Sequence, residues 1–198
     1  MSQLNEAILS SAQSMPEGHI LSPKAFLHLG SRAAVDQALT RLTQSGKLMR
    51  VGRGAYVTPV SGRFGRRSPS AESIIATLEQ QTGQPITNNG AAAANALGLT
   101  TQQPTREVFL TNGRSQILKL GARVIEIKHA PGWQLALGKR PAGMAVRALS
   151  WLGQEHAHTT LKILRSKLAG EEWEAMLAIQ SALPGWMAKA VGEVNAHG

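Results

Sequence analysis

The 198-residue chain contains no cysteine and one aspartate, Asp36. Without thiols there are no disulfides and no thiolate metal sites, and the redox compartment is unconstrained. A lone aspartate removes most Ser-His-Asp and two-metal carboxylate schemes unless glutamates replace every member. His156 and His158 stand two apart, a poor metal spacing on a helix, with no H-E-x-x-H and no third ligand nearby. The glycine- and arginine-rich stretch from Gly62 to Ser68, which includes Phe64, lacks the Lys-Ser/Thr arrangement of a phosphate-cradling loop. No catalytic residue, metal or cofactor is therefore expected. Long apolar runs are also missing: nothing approaches the ~18 residues of a membrane span, and the N-terminal Met-Ser-Gln-Leu-Asn-Glu lacks a basic and then apolar leader. The expectation is a cytoplasmic protein with no membrane contact.

Positive charge is plentiful by contrast. The formal net charge is +9, and hydrophobic residues make up 42 % of the chain, enough for a buried core. The excess lies at the front, where nine Lys and Arg face three acids up to Pro69, against twelve facing nine afterwards. Such an imbalance favours a phosphate-bearing partner where it coincides with a groove-reading motif. That motif is the stretch Ser31 to Gln44. Val35, Ala38, Leu39 and Leu42 share one helical face, while Arg32, Asp36, Gln37, Arg41 and Gln44 fall on the others. Ser31 suits the N-cap and Gly46 the stop. A shorter helical segment, Pro23 to Leu29, precedes it after Ser22, and two apolar runs around Gly52-Arg53-Gly54 follow. Leu48, Val51, Tyr56 and Val57 can face a core while Lys47, Arg50 and Arg53 point outward. With a first helix at Leu4 to Ala12 and a short strand at Gly18 to Leu21, the order is that of a three-stranded winged helix-turn-helix.

The spacing predicts an α+β protein in three parts. Residues 1–60 form a winged helix-turn-helix, residues 61–69 a basic linker, and residues 70–198 an α+β domain with an antiparallel β-meander and several helices. Arg63, Arg66 and Arg67 in the linker suit either a solvated connector or an arm on DNA. Beyond it, Ser70 caps a helix to about Thr82, and Asn89-Gly90 opens an alanine-rich helix closed by Gly98. Strands at 106–111, 114–120 and 123–129 are joined by Asn112-Gly113 and Gly121-Ala122, the first being a strong hairpin signal. Helices are expected over 142–152, 157–168, 171–182 and 186–194, with Trp151, Trp173 and Trp186 docking them.

Arg32, Gln37 and Arg41 are the candidates for groove contacts, since Arg and Gln suit bidentate pairing with guanine and adenine; Ser31 and Arg32 are expected at a base edge or phosphate at the groove entrance, and Arg41, near the helix end, on a phosphate. Lys47, Arg50 and Arg53 with Arg63, Arg66 and Arg67 are candidates for phosphates. Lys162, Arg165 and Lys167 lie off the buried stripe of their helix and mark a possible second surface for DNA or a partner.

The order of motifs resembles the AbiEi family, antitoxins of type IV toxin–antitoxin systems. The resemblance rests on the N-terminal helix-turn-helix, Gly52-Arg53-Gly54-Ala55-Tyr56, Ile86-Thr87-Asn88-Asn89-Gly90 with Ala-Leu-Gly-Leu behind it, Phe109-Leu110-Thr111-Asn112-Gly113, and Arg140-Pro141-Ala142-Gly143 before a helix. It implies a repressor that binds an operator, expected to carry inverted repeats, in its own promoter. It also implies action against a nucleotidyltransferase-like toxin encoded alongside. The alternatives are a solitary regulator without a toxin and a module that uses the helix-turn-helix for protein contacts. A nucleic-acid-processing enzyme would need a glutamate cluster that the sequence does not line up.

Overall fold

The computed structural model describes residues 3–63 and 65–197. Met1, Ser2, Phe64 and Gly198 lie outside them, which takes in the first two residues of the N-terminal stretch and the phenylalanine of the glycine- and arginine-rich segment. The chain is mixed α+β. Its elements begin with α1 (Gln3–Gln13), α2 (Arg32–Gln44), β1 (Met49–Gly52), β2 (Ala55–Val57), β3 (Val60–Gly62), β4 (Gly65–Arg67) and α3 (Ala71–Thr82). Then come β5 (Ile86–Asn88), α4 (Gly90–Ala96), β6 (Glu107–Thr111), β7 (Gln116–Leu120), β8 (Arg123–His129) and the short α5 (Gly132–Leu135). The chain ends in α6 (Pro141–Leu152), α7 (Ala157–Lys167), α8 (Gly170–Ala178) and α9 (Gly185–His197). It divides into two units, residues up to Gln84 with Gln116–Glu126, and Pro85–Ser115 with residues from Ile127 onward.

In the first unit, Ser31 caps α2 by accepting the Ala34 amide at 3.3 Å. Val35, Ala38, Leu39 and Leu42 are buried beneath it with Ile8, Leu21, Phe26 and Leu48. Burying each large aliphatic in this face contributes about 1.5–3 kcal/mol, so the apolar stripe, more than local propensity, holds the helix. Leu48, Val51, Tyr56 and Val57 are all buried, Leu48 and Tyr56 in the same core as the apolar face of α2. Arg53 and Gly54 form the two-residue turn between β1 and β2, and Gly54 takes the left-handed conformation there at φ 64°.

Several expectations are corrected. Pro23 to Leu29 is not a full helix but a single 3-10 turn over Pro23–Phe26, continued by the bond from the Leu29 amide to the Phe26 carbonyl at 2.9 Å. Its amides bond three residues back, Ala25 to Ser22, Leu27 to Lys24 and Leu29 to Phe26, and the Ser22 side chain makes no cap bond. The strand expected at Gly18 to Leu21 shrinks to one bridge between Leu21 and Tyr56. Its place is taken by a side chain: Gln81 accepts from the Ile20 amide at 3.1 Å and donates to the Ile20 carbonyl at 2.9 Å, as a neighbouring strand would. The supposed linker instead pairs as the antiparallel hairpin β3–β4, in the register Val60↔Arg67 and Ser61↔Arg66.

The unit boundary also falls after α3, not at residue 69. Gly18 lies so close to α3 that a Cβ there would come within 2.6 Å of the Ser73 carbonyl carbon, and the Thr77 hydroxyl donates to the Gly18 carbonyl at 2.7 Å. β7 and the start of β8 join the first unit as well, where β7 runs beside β1.

The meander is the largest correction. Strand order is β5-β6-β8-β7, so Asn112-Gly113 does not join neighbouring strands. Its surroundings take a different set of bonds: the Thr111 carbonyl accepts from the Ala130 amide at 2.9 Å, and the Ser115 hydroxyl accepts from the His129 amide at 2.9 Å.

In the second unit, Asn89 caps α4 through the Ala92 amide. Small residues let α4 approach α6 closely, with Ala93, Ala94 and Ala148 buried together. A Cβ at Gly90 would sit 2.5 Å from the Arg147 carbonyl oxygen, so that position tolerates only glycine. A larger core joins α6 to α9, with Trp173 fully buried and Trp186 packed at its edge. Trp151 meets the start of α4, where a Cβ at Gly90 would lie 2.5 Å from its own, but stays 44 % exposed and lines a pocket with Asn89 and Arg106 instead of entering the core.

Candidate nucleic-acid interface

Four-residue spacing puts Arg32, Asp36 and Thr40 on one strip of α2, with Gln37 and Arg41 on the next. The first strip forms one wall of a groove of about 560 Å³, whose other walls are the 3-10 turn and the β1–β2 hairpin. Lys24, Arg32, Arg50 and Arg53 line it against one acid, Asp36. The Arg32 Nε donates to Asp36 Oδ2 at 2.8 Å, an exposed pair of little intrinsic strength. The bond engages the guanidinium at Nε and leaves its two Nη groups without a partner among the described residues, available as a fork of the kind that suits a guanine edge. Arg50 makes one weak internal bond, Nε to the Gly52 carbonyl at 3.3 Å. Arg53 has no hydrogen-bond or ion-pair partner among the described residues.

The structure therefore brings Arg32, Arg50 and Arg53 together. Ser31, Gln37 and Arg41 are exposed on α2 outside that groove. Lys47 is half-buried and interacts within the chain. Arg63 sits exposed at the β3–β4 turn, whereas Arg66 and Arg67 are held. The Arg66 Nη1 donates to the Gly46 carbonyl at 2.7 Å, just past the end of α2, where a cation also complements the helix dipole. The Arg67 Nη1 reaches Glu17 Oε1 at 3.4 Å and the Ser68 carbonyl at 3.1 Å.

In the second unit the three candidate cations separate. Lys162 and Arg165 line a groove of about 650 Å³ between α7 and α9 with His158, Glu193 and His197. Arg165 also stacks its guanidinium 4.9 Å from the Trp173 ring centroid. Lys167 turns away to donate to the Leu97 carbonyl at 3.1 Å, at the end of α4.

Two further arginines hold the second unit. Arg140 donates twice to Glu172 Oε1, at 2.9 and 3.1 Å, while Glu172 Oε2 accepts the Ala142 amide at the start of α6. The Arg140 bond and the amide hold the Glu172 carboxyl below its ordinary range, and the carboxylate raises Arg140 in turn. Arg147 is fully buried, with Nη1 donating to the Gln134 and Gly138 carbonyls while Nε and Nη2 stay unpaired. Burial pushes its guanidinium down to about 10.

Sequence reasoning passed over Lys24, which follows Pro23 and enters the groove only because the 3-10 turn packs on α2. It also passed over Lys119 and Ile117, whose outward alternation in β7 is visible but whose neighbours are not. Among the described residues no three His, Cys, Asp or Glu side chains converge as metal ligands. No helix among them is long and apolar enough to cross a membrane.

These features define an α+β protein whose first unit presents a basic groove between a helix and a two-stranded hairpin. The chain belongs to the family described as "Family of unknown function (DUF6088)", which matches residues 7–173. No curated protein matches it.

Proposed function

We propose that the protein is a sequence-specific double-stranded DNA-binding repressor, in which α2 is the recognition helix and β1–β2 the wing of a winged helix-turn-helix. The observation that carries this reading is the groove in which Lys24, Arg32, Arg50 and Arg53 face a single acid. A cation cluster open to solvent beside an exposed helix face bearing Gln37 and Arg41 suits a duplex, with phosphates neutralised at the hairpin and base edges met by the helix. The resemblance to AbiEi antitoxins adds the biological setting: a cytoplasmic antitoxin that represses its own promoter at an inverted-repeat operator and counteracts a nucleotidyltransferase-like toxin. Lys162 and Arg165 provide the second surface, outside the groove of the first unit.

Base reading is tested with Arg32→Ala and Gln37→Ala on the duplex immediately upstream of the gene and on a scrambled duplex of equal composition. Each variant should lose roughly 1–3 kcal/mol on the upstream duplex and much less on the scrambled one, the range for a lost bidentate base contact. Equal losses on both would refute base reading. For the antitoxin role, co-expression with the neighbouring gene product measures growth rescue. Absence of rescue by the intact protein would leave a repressor without antitoxin activity.

A further inference from the structure

We infer that strand β7 belongs to the nucleic-acid surface, with Lys119 taking a backbone phosphate beside the wing and Ile117 lying against the adjoining sugar. This rests on the DNA-binding reading above. β7 lies far along the chain from the β1–β2 hairpin yet belongs to the same unit. A Cβ at Gly52 would meet the Ile117 carbonyl oxygen at 3.8 Å and the Leu118 Cδ2 at 4.0 Å, so β1 and β7 run at van der Waals distance.

A second groove of about 420 Å³ opens on this side of the hairpin, lined by Arg50, Val51, Gly52, Arg53, Ile117 and Lys119. Arg50 and Arg53 line both this groove and the one against α2, so β7 continues the same basic surface around the hairpin tip. Three cations and no carboxylate line it, and Lys119, like Arg53, has no hydrogen-bond or ion-pair partner among the described residues.

The strand's alternation explains the presentation. Leu118 and Leu120 are buried at 2 % exposure, which forces Ile117 and Lys119 to the opposite face. Ile117 is 59 % exposed, the most open large aliphatic among the described residues. Two residues apart on one face, Ile117 and Lys119 are about 7 Å apart along the strand. An ammonium on a phosphate therefore places the aliphatic group on the neighbouring sugar, a pairing that duplex DNA repeats along each strand.

The test uses the full-length protein and the labelled duplex immediately upstream of the gene, with affinity measured by anisotropy across about 50–200 mM salt. Lys119→Ala should weaken binding severalfold and make the log–log salt slope shallower by about 0.9, one phosphate's worth of released counterion. Lys119→Arg should keep the parent slope. Ile117→Ser should weaken binding with the slope unchanged, because no charge is lost. Thermal unfolding of all three should match the parent, since both side chains are solvent-facing. If the parent binds with a steep slope that Arg53→Ala reduces while Lys119→Ala leaves it intact, this inference is wrong and the DNA-binding reading stands. If the parent shows no salt-dependent duplex binding, both fall.

Discussion

The hairpins β1–β2 and β3–β4 follow each other in the chain and both carry arginine beside glycine, yet Arg50 and Arg53 of the first are left largely unbonded while Arg66 and Arg67 on β4 are bonded into the chain. In β1–β2, Arg53 has no partner among the described residues and Arg50 only its own neighbour's carbonyl. In β3–β4, Arg66 closes the end of α2 through Gly46 and Arg67 ties down Glu17 and Ser68. The difference lies in what surrounds each hairpin. A helix C-terminus and a glutamate stand within reach of the second, whereas the first faces Lys24, Arg32 and a single acid, Asp36, that Arg32 already engages. A cation bonded inside the chain is held where its partner fixes it, whereas an unpartnered one can swing to meet a phosphate. The second unit repeats the contrast, with Arg140 and Arg147 built into the fold and Lys162 open in a groove.

The sharpest way to break the contrast is at Arg147, the most deeply held arginine. Arg147→Ala removes a large buried side chain and two carbonyl bonds, and should lower unfolding free energy by about 3–5 kcal/mol in a urea titration. Arg147→Met keeps most of the volume and removes a buried charge with two unpaired nitrogens, so its loss should be clearly smaller. Equal losses would mean that the guanidinium's bonds, not its volume, dominate.

Next comes the Arg140–Glu172 pair. Because the folded state depresses the Glu172 carboxyl, its contribution is present above the ordinary glutamate value of about 4.3 and is lost as pH falls through the folded value. Glu172→Gln should therefore be less stable than the parent at neutral pH, with the gap closing below about pH 4. A gap that persists at acid pH would point to lost packing instead of the ion pair.

The smallest effect is expected at Arg66. Arg66→Ala removes an exposed charge-assisted bond at the end of α2 and should lower stability by about 1 kcal/mol, read from the same urea titration. No change in stability would erase the distinction between the two hairpins.

Much of the secondary structure was legible because its signals are local. Ser31, Ser70 and Asn89 each accept the amide three residues on, and the 3.6-residue periodicity of Val35, Ala38, Leu39 and Leu42 marks a buried face. What stayed hidden depends on partners distant in sequence. Asn112-Gly113 has the chemistry of a two-residue turn, but the Thr111 carbonyl is taken by Ala130, and β8 separates β6 from β7. Gln81 replaces a strand next to Ile20, and the approach of Gly18 to Ser73 draws α3 into the first unit. For the candidate interface, the basic face of α2 could be read from spacing. Which arginines are already bonded could not, since Gly46 lies 20 residues from Arg66 and Glu17 lies 50 from Arg67.

The most direct test of the account compares Arg53→Ala with Arg66→Ala in the full-length protein on the duplex upstream of the gene, following affinity against salt. Arg53→Ala should fold as stably as the parent and show a salt slope shallower by about one phosphate contact. Arg66→Ala should keep the parent slope. Parallel slopes for the parent and Arg53→Ala, or a reduced slope for Arg66→Ala alone, would contradict the assignment of β1–β2 as the DNA-contacting hairpin.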